Sequence, residues 1–324
     1  MTIWVAVAVL AVCFLVLTKC ADWFVDGAVG IAEHLKVPQM LIGIVLVSMA
    51  TTSPELAVSV MSALQGHPEM ALGNAVGSVI VDDGVALGLG ILFASAPIAV
   101  NPYLLRTTGL FLIVVDLIAY AMVFNDYTLS RYEGAVLVML FAVYMVFVYV
   151  TRKRSQQPQD LAELTEIEES IEGKGLASLL IWFMVGLLGV LVSSHFIVEA
   201  SVVIASSLGV SEAVIGLTIV AIGTSLPEIA TAVIAAKKGH GELMVGNILG
   251  ADILNICWIA GASALVNPLV VSRQIIHFSF PAMLIIVIGM LIMMRTGHRL
   301  TRAEGVFLVF LYCVYLAMMA KLFL

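Results

Sequence analysis

Two stretches of this sequence repeat each other at a constant distance along the chain. The first reads Thr-Thr-Ser-Pro-Glu at 51–55, and the second reads Thr-Ser-Leu-Pro-Glu at 224–228. The numbers of their glutamates differ by 228 − 55 = 173, and those of the Gly-Asn motifs that follow, at 73–78 and 246–251, also differ by 246 − 73 = 173. A spacing kept over this length without an insertion indicates an internal duplication.

The composition assigns this duplicated chain to the membrane. Hydrophobic residues make up 62% of the 324 positions and charged residues only 11%, which is typical of an all-α polytopic membrane protein. Because lipid offers no hydrogen bonds to the backbone, the spans must be helices. Hydropathy predicts ten of them, at 2–32, 38–64, 69–97, 103–124, 130–151, 176–208, 212–236, 242–266, 272–294 and 302–323.

The spans divide into two halves around one acidic loop. Five precede the loop at 152–175 and five follow it, so we expect repeats of five helices at 1–151 and 176–324. An odd number of spans reverses the second repeat in the membrane, which predicts an inverted-topology repeat. The loop itself is predicted to be a solvated cytoplasmic linker.

The basic residues predict the orientation of the chain. Eleven of the 15 Lys and Arg residues fall on one side of the predicted spans, three fall on the other, and Lys19 falls inside the first span. The positive-inside rule places the richer side in the cytoplasm and both termini outside. We expect a multi-pass protein of a prokaryotic plasma membrane, since no large soluble loop is present.

The repeated motifs place polar groups where lipid makes them costly. Pro54 and Pro227 cannot donate helical hydrogen bonds, so each frees a carbonyl within an apolar span. Each buried carboxylate costs on the order of 3 kcal/mol at a helix centre. Hydroxyls, carbonyls and carboxylates together form an oxygen site that suits Ca²⁺ or Na⁺. Such a site reorients when it is loaded and resists reorienting when it is vacant and charged, which predicts exchange of one ion for another.

The paired motifs resemble the two alpha repeats of the sodium/calcium exchanger branch of the cation/calcium antiporter superfamily, in its prokaryotic form. The resemblance implies ten helices, a central site that alternately binds several Na⁺ or one Ca²⁺, and long first and sixth spans that slide to switch access. It implies the following Ca²⁺ ligands: Glu55, Glu228, Thr51 and Thr224. It implies one flanking sodium site at Ser48, Thr52 and Ser78, and a second at Ser225, the Ala221 carbonyl and position 251. Asp82 and Asn255 match the central polar positions.

Several residues depart from the family pattern. Ala251 stands where a hydroxyl would bind sodium, and Asp83 and Asp252 are additional acids. These departures leave open a second function, a Ca²⁺ (cation)/H⁺ antiporter on the same scaffold. Each of these two acids could be a packing acid or a cation or proton site. Asp26 and Glu199, which match each other at the same offset of 199 − 26 = 173, could line ion paths or satisfy polar neighbours, and Asp116 has no counterpart in the other repeat.

Other classes of function find little support in the sequence. A cation channel is disfavoured by the inverted repeat and the helix-breaking prolines, and no catalytic constellation indicates an enzyme. We expect no cofactor and no nucleic-acid partner. The expected partners are Ca²⁺, Na⁺ and the lipid bilayer. H⁺ or K⁺ remains open as a counter-ion, and the oligomeric state is not indicated.

Overall fold

The computed structural model describes residues 2–35, 39–66, 68–124, 126–151, 175–207 and 221–323. The acidic linker, apart from its last residue, and positions 212–220 of the predicted seventh span lie outside the described residues. All of the described long elements are helices, in agreement with an all-α membrane protein.

The first half of the chain contains one long helix followed by several interrupted ones. Its helices are α1 (Ile3–Leu35), α2 (Gln39–Ile42), α3 (Ser48–Thr51), α4 (Ser53–Leu64), α5 (Pro68–Val81), α6 (Gly88–Phe93), α7 (Pro102–Leu104), α8 (Leu110–Phe124) and α9 (Arg131–Thr151). π-Helical turns at Gly43–Val47, Asp82–Leu87 and Leu105–Gly109 continue α2 into α3, α5 into α6 and α7 into α8. Widened turns of this kind are frequent at functional sites.

The second half of the chain follows the same plan. Its helices are α10 (Leu176–Ser207), α11 (Ala221–Thr224), α12 (Leu226–Lys237), α13 (Gly241–Ile253), α14 (Gly261–Val266), α15 (Phe280–Arg295) and α16 (Arg302–Phe323). π-Helical turns at Leu254–Ala260 and Ile275–Ser279 join α13 to α14 and precede α15. The starts of α4 and α12 are offset by 226 − 53 = 173, and those of α6 and α14 by 261 − 88 = 173. The duplication seen in the sequence therefore recurs in the element boundaries.

Eight helical segments among the described residues are long and apolar enough to cross a membrane. A ninth candidate is the pair Gly43–Thr51 and Ser53–Leu64, which is bent by 53°. The bend lies at Thr52, whose ψ of 6° is outside the helical range, and Pro54 then occupies the first turn of α4. Ser225 has a similar ψ of 9° before Pro227 in α12. Proline has no N–H to continue the hydrogen bonding of the preceding helix, but it is tolerated in the first turn of a new helix.

Short strand pairs join the two halves reciprocally. Strand β1 (Ile98–Ala99) pairs antiparallel with β4 (Arg299–Leu300), and β2 (Thr128–Leu129) pairs antiparallel with β3 (Leu269–Val270). Each pair takes one strand from each half. The connections at each end of the helical bundle are thereby held together across the repeat.

Burial places the two Gly-Asn helices at the centre of the bundle. In the most apolar 18-residue stretches of Pro68–Phe93 and Gly241–Val266, 72% and 83% of the residues are buried. In the other six unbent candidate spans among the described residues, the buried share is at most 44%. The long helices α1 and α10 lie outside this centre and pack against each other, with the Phe24 and Phe183 rings 4.6 Å apart. The most buried helices therefore carry the motifs that the sequence analysis selected.

Candidate ion-binding site

The two motif glutamates occupy equivalent positions at the start of broken helices. Glu55 lies in the first turn of α4 and Glu228 in the first turn of α12. The exposed fractions of these residues are 1% and 0%. A helix N-terminus carries a partial positive charge, which stabilises a carboxylate there. The helix breaks thus place both carboxylates inside the bundle in a favourable local field.

Three central carboxylates come together from the two halves. Glu55 interacts electrostatically with both Glu228 and Asp82, and Asp82 interacts with Glu228. Both Glu228 carboxylate oxygens, Glu55 Oε2 and Asp82 Oδ1 are buried and accept no hydrogen bond of standard geometry. Among the described residues no Lys or Arg forms an ion pair with any of the three. The cluster therefore carries acceptor oxygens without a protein countercharge.

Polar side chains from both halves surround these carboxylates. The Ser225 hydroxyl donates to Glu55 Oε1 at 3.4 Å, and the Asn255 amide donates to Asp82 Oδ2 at 3.4 Å. The Thr51 hydroxyl approaches the Glu228 carboxylate. Each of these contacts joins a residue of one repeat to a residue of the other. Thr224, 9% exposed, lies one residue before Ser225 and contacts Asn74 of the first repeat.

The residues of the first predicted sodium site are buried beside this cluster. Ser48, Thr52 and Ser78 are 0%, 3% and 1% exposed. The Ser48 hydroxyl donates to the Ile44 carbonyl, and the Thr52 hydroxyl donates to the Ser48 carbonyl at 2.8 Å. Because their hydrogens are directed to the backbone, the lone pairs of these hydroxyls remain available to a cation. Ser78 Oγ has no hydrogen-bond partner.

The second predicted sodium site has fewer side-chain oxygens. Ala221 begins α11, one turn before Ser225. Ala251 is fully buried in α13 and supplies only a methyl group. No group of three or more His, Cys, Asp or Glu side chains in the described ranges is placed to hold one metal ion. Any cation held here must therefore use hydroxyl, amide or carbonyl oxygens together with the carboxylates, as hard cations commonly do.

The structure brings together a further group of acids that the sequence did not predict to lie close to one another. Asp83, Asp116 and Asp252 are fully buried, and none of their six carboxylate oxygens has a hydrogen-bond partner of standard geometry. Asp252 interacts electrostatically with both Asp83 and Asp116. Asp116 reaches this group from α8, outside the repeated motifs. The signal for Asp116 was a lone acid within an apolar span, which is costly and often functional.

The peripheral acids Asp26 and Glu199 differ in their surroundings. Asp26 forms an ion pair with Lys238 at 2.7 Å, and the same lysine pairs with Asp22 at 3.1 Å. Asp26 thus satisfies a polar neighbour, which is one of the two roles expected of it. Glu199 is exposed on α10, and its role stays a prediction.

Comparison with known proteins assigns the chain to a family. A family model described as sodium/calcium exchanger protein matches residues 5–150 and 178–321. The chain belongs to the sodium/calcium exchanger family. Inner membrane protein YrbG of Escherichia coli (strain K12) is 32% identical over 316 residues, which cover 97% of this chain and 96% of that protein. Sodium/calcium exchanger MaX1 of Methanosarcina acetivorans is 30% identical over 335 residues, with coverage of 94% and 95%.

Solved structures of one family member share the fold. The sodium-calcium exchanger NCX_Mj soaked with 10 mM Na⁺ and 10 mM Sr²⁺ matches with a TM-score of 0.82 at 27% identity, covering 98% of this chain and 99% of that one. The same exchanger soaked with zero Na⁺ and Ca²⁺ matches with a TM-score of 0.82 at 26% identity. This member of the sodium/calcium exchanger family is therefore a multi-pass membrane transporter and not an enzyme.

Proposed function

We propose that this transporter exchanges Ca²⁺ for Na⁺ by alternating access across a prokaryotic plasma membrane. The observation that carries the proposal is the meeting of Glu55 and Glu228, which come from different repeats, are fully buried and have no basic partner among the described residues. Two such carboxylates repel each other unless cations or protons occupy the site between them. The relatives named as sodium/calcium exchangers support the choice of ions.

The proposed architecture has ten spans in two inverted five-helix repeats, 1–151 and 176–324, joined by the linker 152–175. Strand pairing supports the tenth span. Paired strands lie at one end of the bundle, so an even number of crossings must separate β1 from β4. Among the described residues, five unbent candidate spans lie between these strands, from Leu105–Phe124 to Ile275–Arg295. A sixth crossing is then needed, and α11 and α12 are the helices available for it. Both termini then lie on the same side, which the basic residues predict to be outside.

The candidate ligands divide between two kinds of ion. Glu55, Glu228, Thr51 and Thr224 would bind Ca²⁺, with Asp82 and Asn255 at the central polar positions. Ser48, Thr52 and Ser78 would form one sodium site, and Ser225 with the Ala221 carbonyl would form a second. The shared carboxylates make Ca²⁺ and Na⁺ competitors, which couples the movement of one to that of the other.

Transport in reconstituted vesicles tests this proposal. An outwardly directed Na⁺ gradient should drive Ca²⁺ uptake into proteoliposomes that contain the full chain, and Glu55→Gln and Glu228→Gln should each abolish the uptake. Glu304→Gln is a matched control, because Glu304 caps the start of α16 through the Thr301 backbone and is not one of the candidate ligands. Uptake that is indifferent to the Na⁺ gradient would contradict the coupling.

A Ca²⁺ (cation)/H⁺ antiporter is the second candidate function. It is favoured by Ala251, which removes a sodium ligand, and by the buried acids Asp83, Asp116 and Asp252, which have no counterion among the described residues. Ca²⁺ addition without Na⁺ should then acidify the compartment to which Ca²⁺ is added and make the opposite compartment more alkaline. Ala251→Ser distinguishes the two functions, because a restored hydroxyl should strengthen the response to Na⁺ and leave proton coupling unchanged.

A further inference from the structure

Two asparagines make the same contact across the boundary between the repeats. The Thr51 hydroxyl donates to Asn247 Oδ1 at 3.4 Å, and the Thr224 hydroxyl donates to Asn74 Oδ1 at 3.4 Å. The threonines are offset by 224 − 51 = 173 and the asparagines by 247 − 74 = 173. Each contact is therefore the image of the other under the internal repeat. This recurrence indicates a built arrangement and not a chance placement of one side chain.

The amide groups are held in the required orientation from their other side. The Asn74 amide nitrogen donates to the Ser59 hydroxyl at 3.0 Å and to the Glu55 carbonyl at 3.4 Å. The Asn247 amide nitrogen donates to the Thr231 hydroxyl at 3.4 Å. Since an amide has its donors and its acceptor on different atoms, these bonds leave each oxygen facing the threonine.

The direction of the threonine hydrogen decides what the hydroxyl can bind. A hydroxyl has one hydrogen and two lone pairs, and it ligates a cation through a lone pair. If Thr51 directed its hydrogen to the neighbouring Glu228 carboxylate, that hydrogen bond would occupy a carboxylate lone pair that could otherwise bind the cation. Donation to Asn247 leaves the hydroxyl oxygen and the carboxylate available together. Thr51 is 0% and Asn247 2% exposed, so water is not an alternative acceptor; the alternative is the Ser48 carbonyl of the same helix, also at 3.4 Å.

We propose that Asn74 and Asn247 are positioning residues that each accept the hydrogen of a threonine ligand from the opposite repeat, so that its lone pairs face the transported cation. The inference rests on the proposed function, because it assigns these threonines to the cation site. The asparagines do not touch the ion in this scheme. They act through Thr224 and Thr51, and they connect ligand geometry in one repeat to the other repeat.

Calcium titration of purified full-length variants tests the proposal through mutant cycles. Asn247→Leu should weaken Ca²⁺ binding about 3- to 10-fold, the amount expected for one buried neutral hydrogen bond. Thr51→Val should also weaken binding, and adding Asn247→Leu to Thr51→Val should have no further effect. Thr51→Ser keeps the hydroxyl, so Asn247→Leu should again cost several-fold in that background. A merely structural asparagine would not follow the presence of the hydroxyl.

The repeat supplies the matched control. Asn247→Leu combined with Thr224→Val, a cross pair without direct contact, should weaken Ca²⁺ binding by the product of the two separate effects. Asn74→Leu should show the corresponding pattern in the other repeat: its effect should be non-additive with that of Thr224→Val and additive with that of Thr51→Val. Equal costs of Asn247→Leu in the wild-type and Thr51→Val backgrounds would overturn the inference.

Two further outcomes separate the inference from its premise. If the leucine variants do not fold, as thermal unfolding without Ca²⁺ would show, Asn247→Ser and Asn74→Ser enter the same cycles with the same expected pattern. If the wild-type chain binds neither Ca²⁺ nor Na⁺, the proposed function fails and this inference fails with it. Binding by the wild type with additive effects in every cycle would overturn only the positioning role.

Discussion

Glu55 and Glu228 show how a costly residue can be tolerated inside a bundle. Each carboxylate in lipid costs on the order of 3 kcal/mol, but the first turn of a helix returns part of that cost through its dipole. Pro54 and Pro227 create these first turns by ending the preceding segments at Thr52 and Ser225. In the proposed function, a bound cation offsets the remaining cost, including the mutual repulsion.

Gly250 shows how closely the central helices approach each other at the site. A methyl group at this position would lie 2.5 Å from both the Ile44 carbonyl oxygen and Ser48 Oγ. We predict that Gly250→Ala destabilises the protein by about 1–3 kcal/mol, the usual effect of overpacking, and weakens Na⁺ binding at Ser48. Gly289→Ala is the control, because its methyl group would meet no atom within 4 Å. Thermal unfolding in detergent measures the stability of both variants. Equal melting temperatures for Gly250→Ala and Gly289→Ala would refute the prediction.

At the scale of elements, Lys238 attaches the end of α12 to the side of α1. Its ammonium group pairs with Asp26 at 2.7 Å and with Asp22 at 3.1 Å, and it donates to the Asp22 carbonyl at 3.2 Å. These side chains are partly exposed, so each pair contributes only about 0.5 kcal/mol. The ion pairs therefore orient α1 more than they stabilise the fold.

We predict that Lys238→Gln lowers the unfolding free energy by about 1 kcal/mol at low ionic strength, and less at high ionic strength. Choline chloride should supply the ionic strength, because Na⁺ is a proposed substrate. Lys321→Gln on α16 is the control, since no ion pair involves Lys321 in the part of the chain that the structure describes. A loss for Lys238→Gln that does not change with salt would argue against an electrostatic attachment.

His240 connects the start of α13 to α2. Its Nδ1 lies 3.2 Å from Gln39 Oε1. Burial first, and then the charge of Lys238, lower the pKa of His240 below its usual 6.5, while Asp26 opposes the shift. A lowered pKa means that the folded state takes up this proton less readily than the unfolded state. Stability is therefore complete above pH 6.5 and falls as the pH drops toward and through the lowered value.

We predict that His240→Gln reduces this loss of stability on acidification. The glutamine keeps a polar contact with Gln39 but does not titrate. The melting temperature measured at pH 7.5 and at pH 5.5 should fall more for the wild type than for the variant. A decline of the same size in both would show that other groups control the acid sensitivity.

At the scale of the whole molecule, the sequence predicted local elements better than contacts between them. The break before Pro54 and the second break at Ser225 follow from proline chemistry, and the repeat offset predicted equivalent helices. The pairing of Thr51 with Asn247, or of Lys238 with Asp26, depends on helix rotation and packing. Hydropathy does not determine these, because the central helices are buried on most faces and the Lys238 ion pair lies between partly exposed side chains. For the same reason the approach of Asp116 to Asp252 was not foreseen.

The two halves share their elements but not all their contacts. Helix α1 packs along α12, whereas α10, its counterpart, makes no comparable contact with α4 among the described residues. Lys238 has Gln65 at the equivalent position in the first repeat, because 238 − 65 = 173. The ion pairs with α1 therefore have no charged equivalent on the α10 side. The contact of α1 with α12, unlike this fixed difference in charge, is the kind of asymmetry that the proposed alternating access would require of a single conformation.

The most direct measurement for this account is isothermal titration of the purified full-length protein with Ca²⁺, with and without Na⁺. The account predicts one Ca²⁺ per chain, an affinity that Na⁺ lowers, and loss of binding in both Glu55→Gln and Glu228→Gln. Retention of wild-type Ca²⁺ affinity by either variant would contradict a single cation site shared by the two repeats.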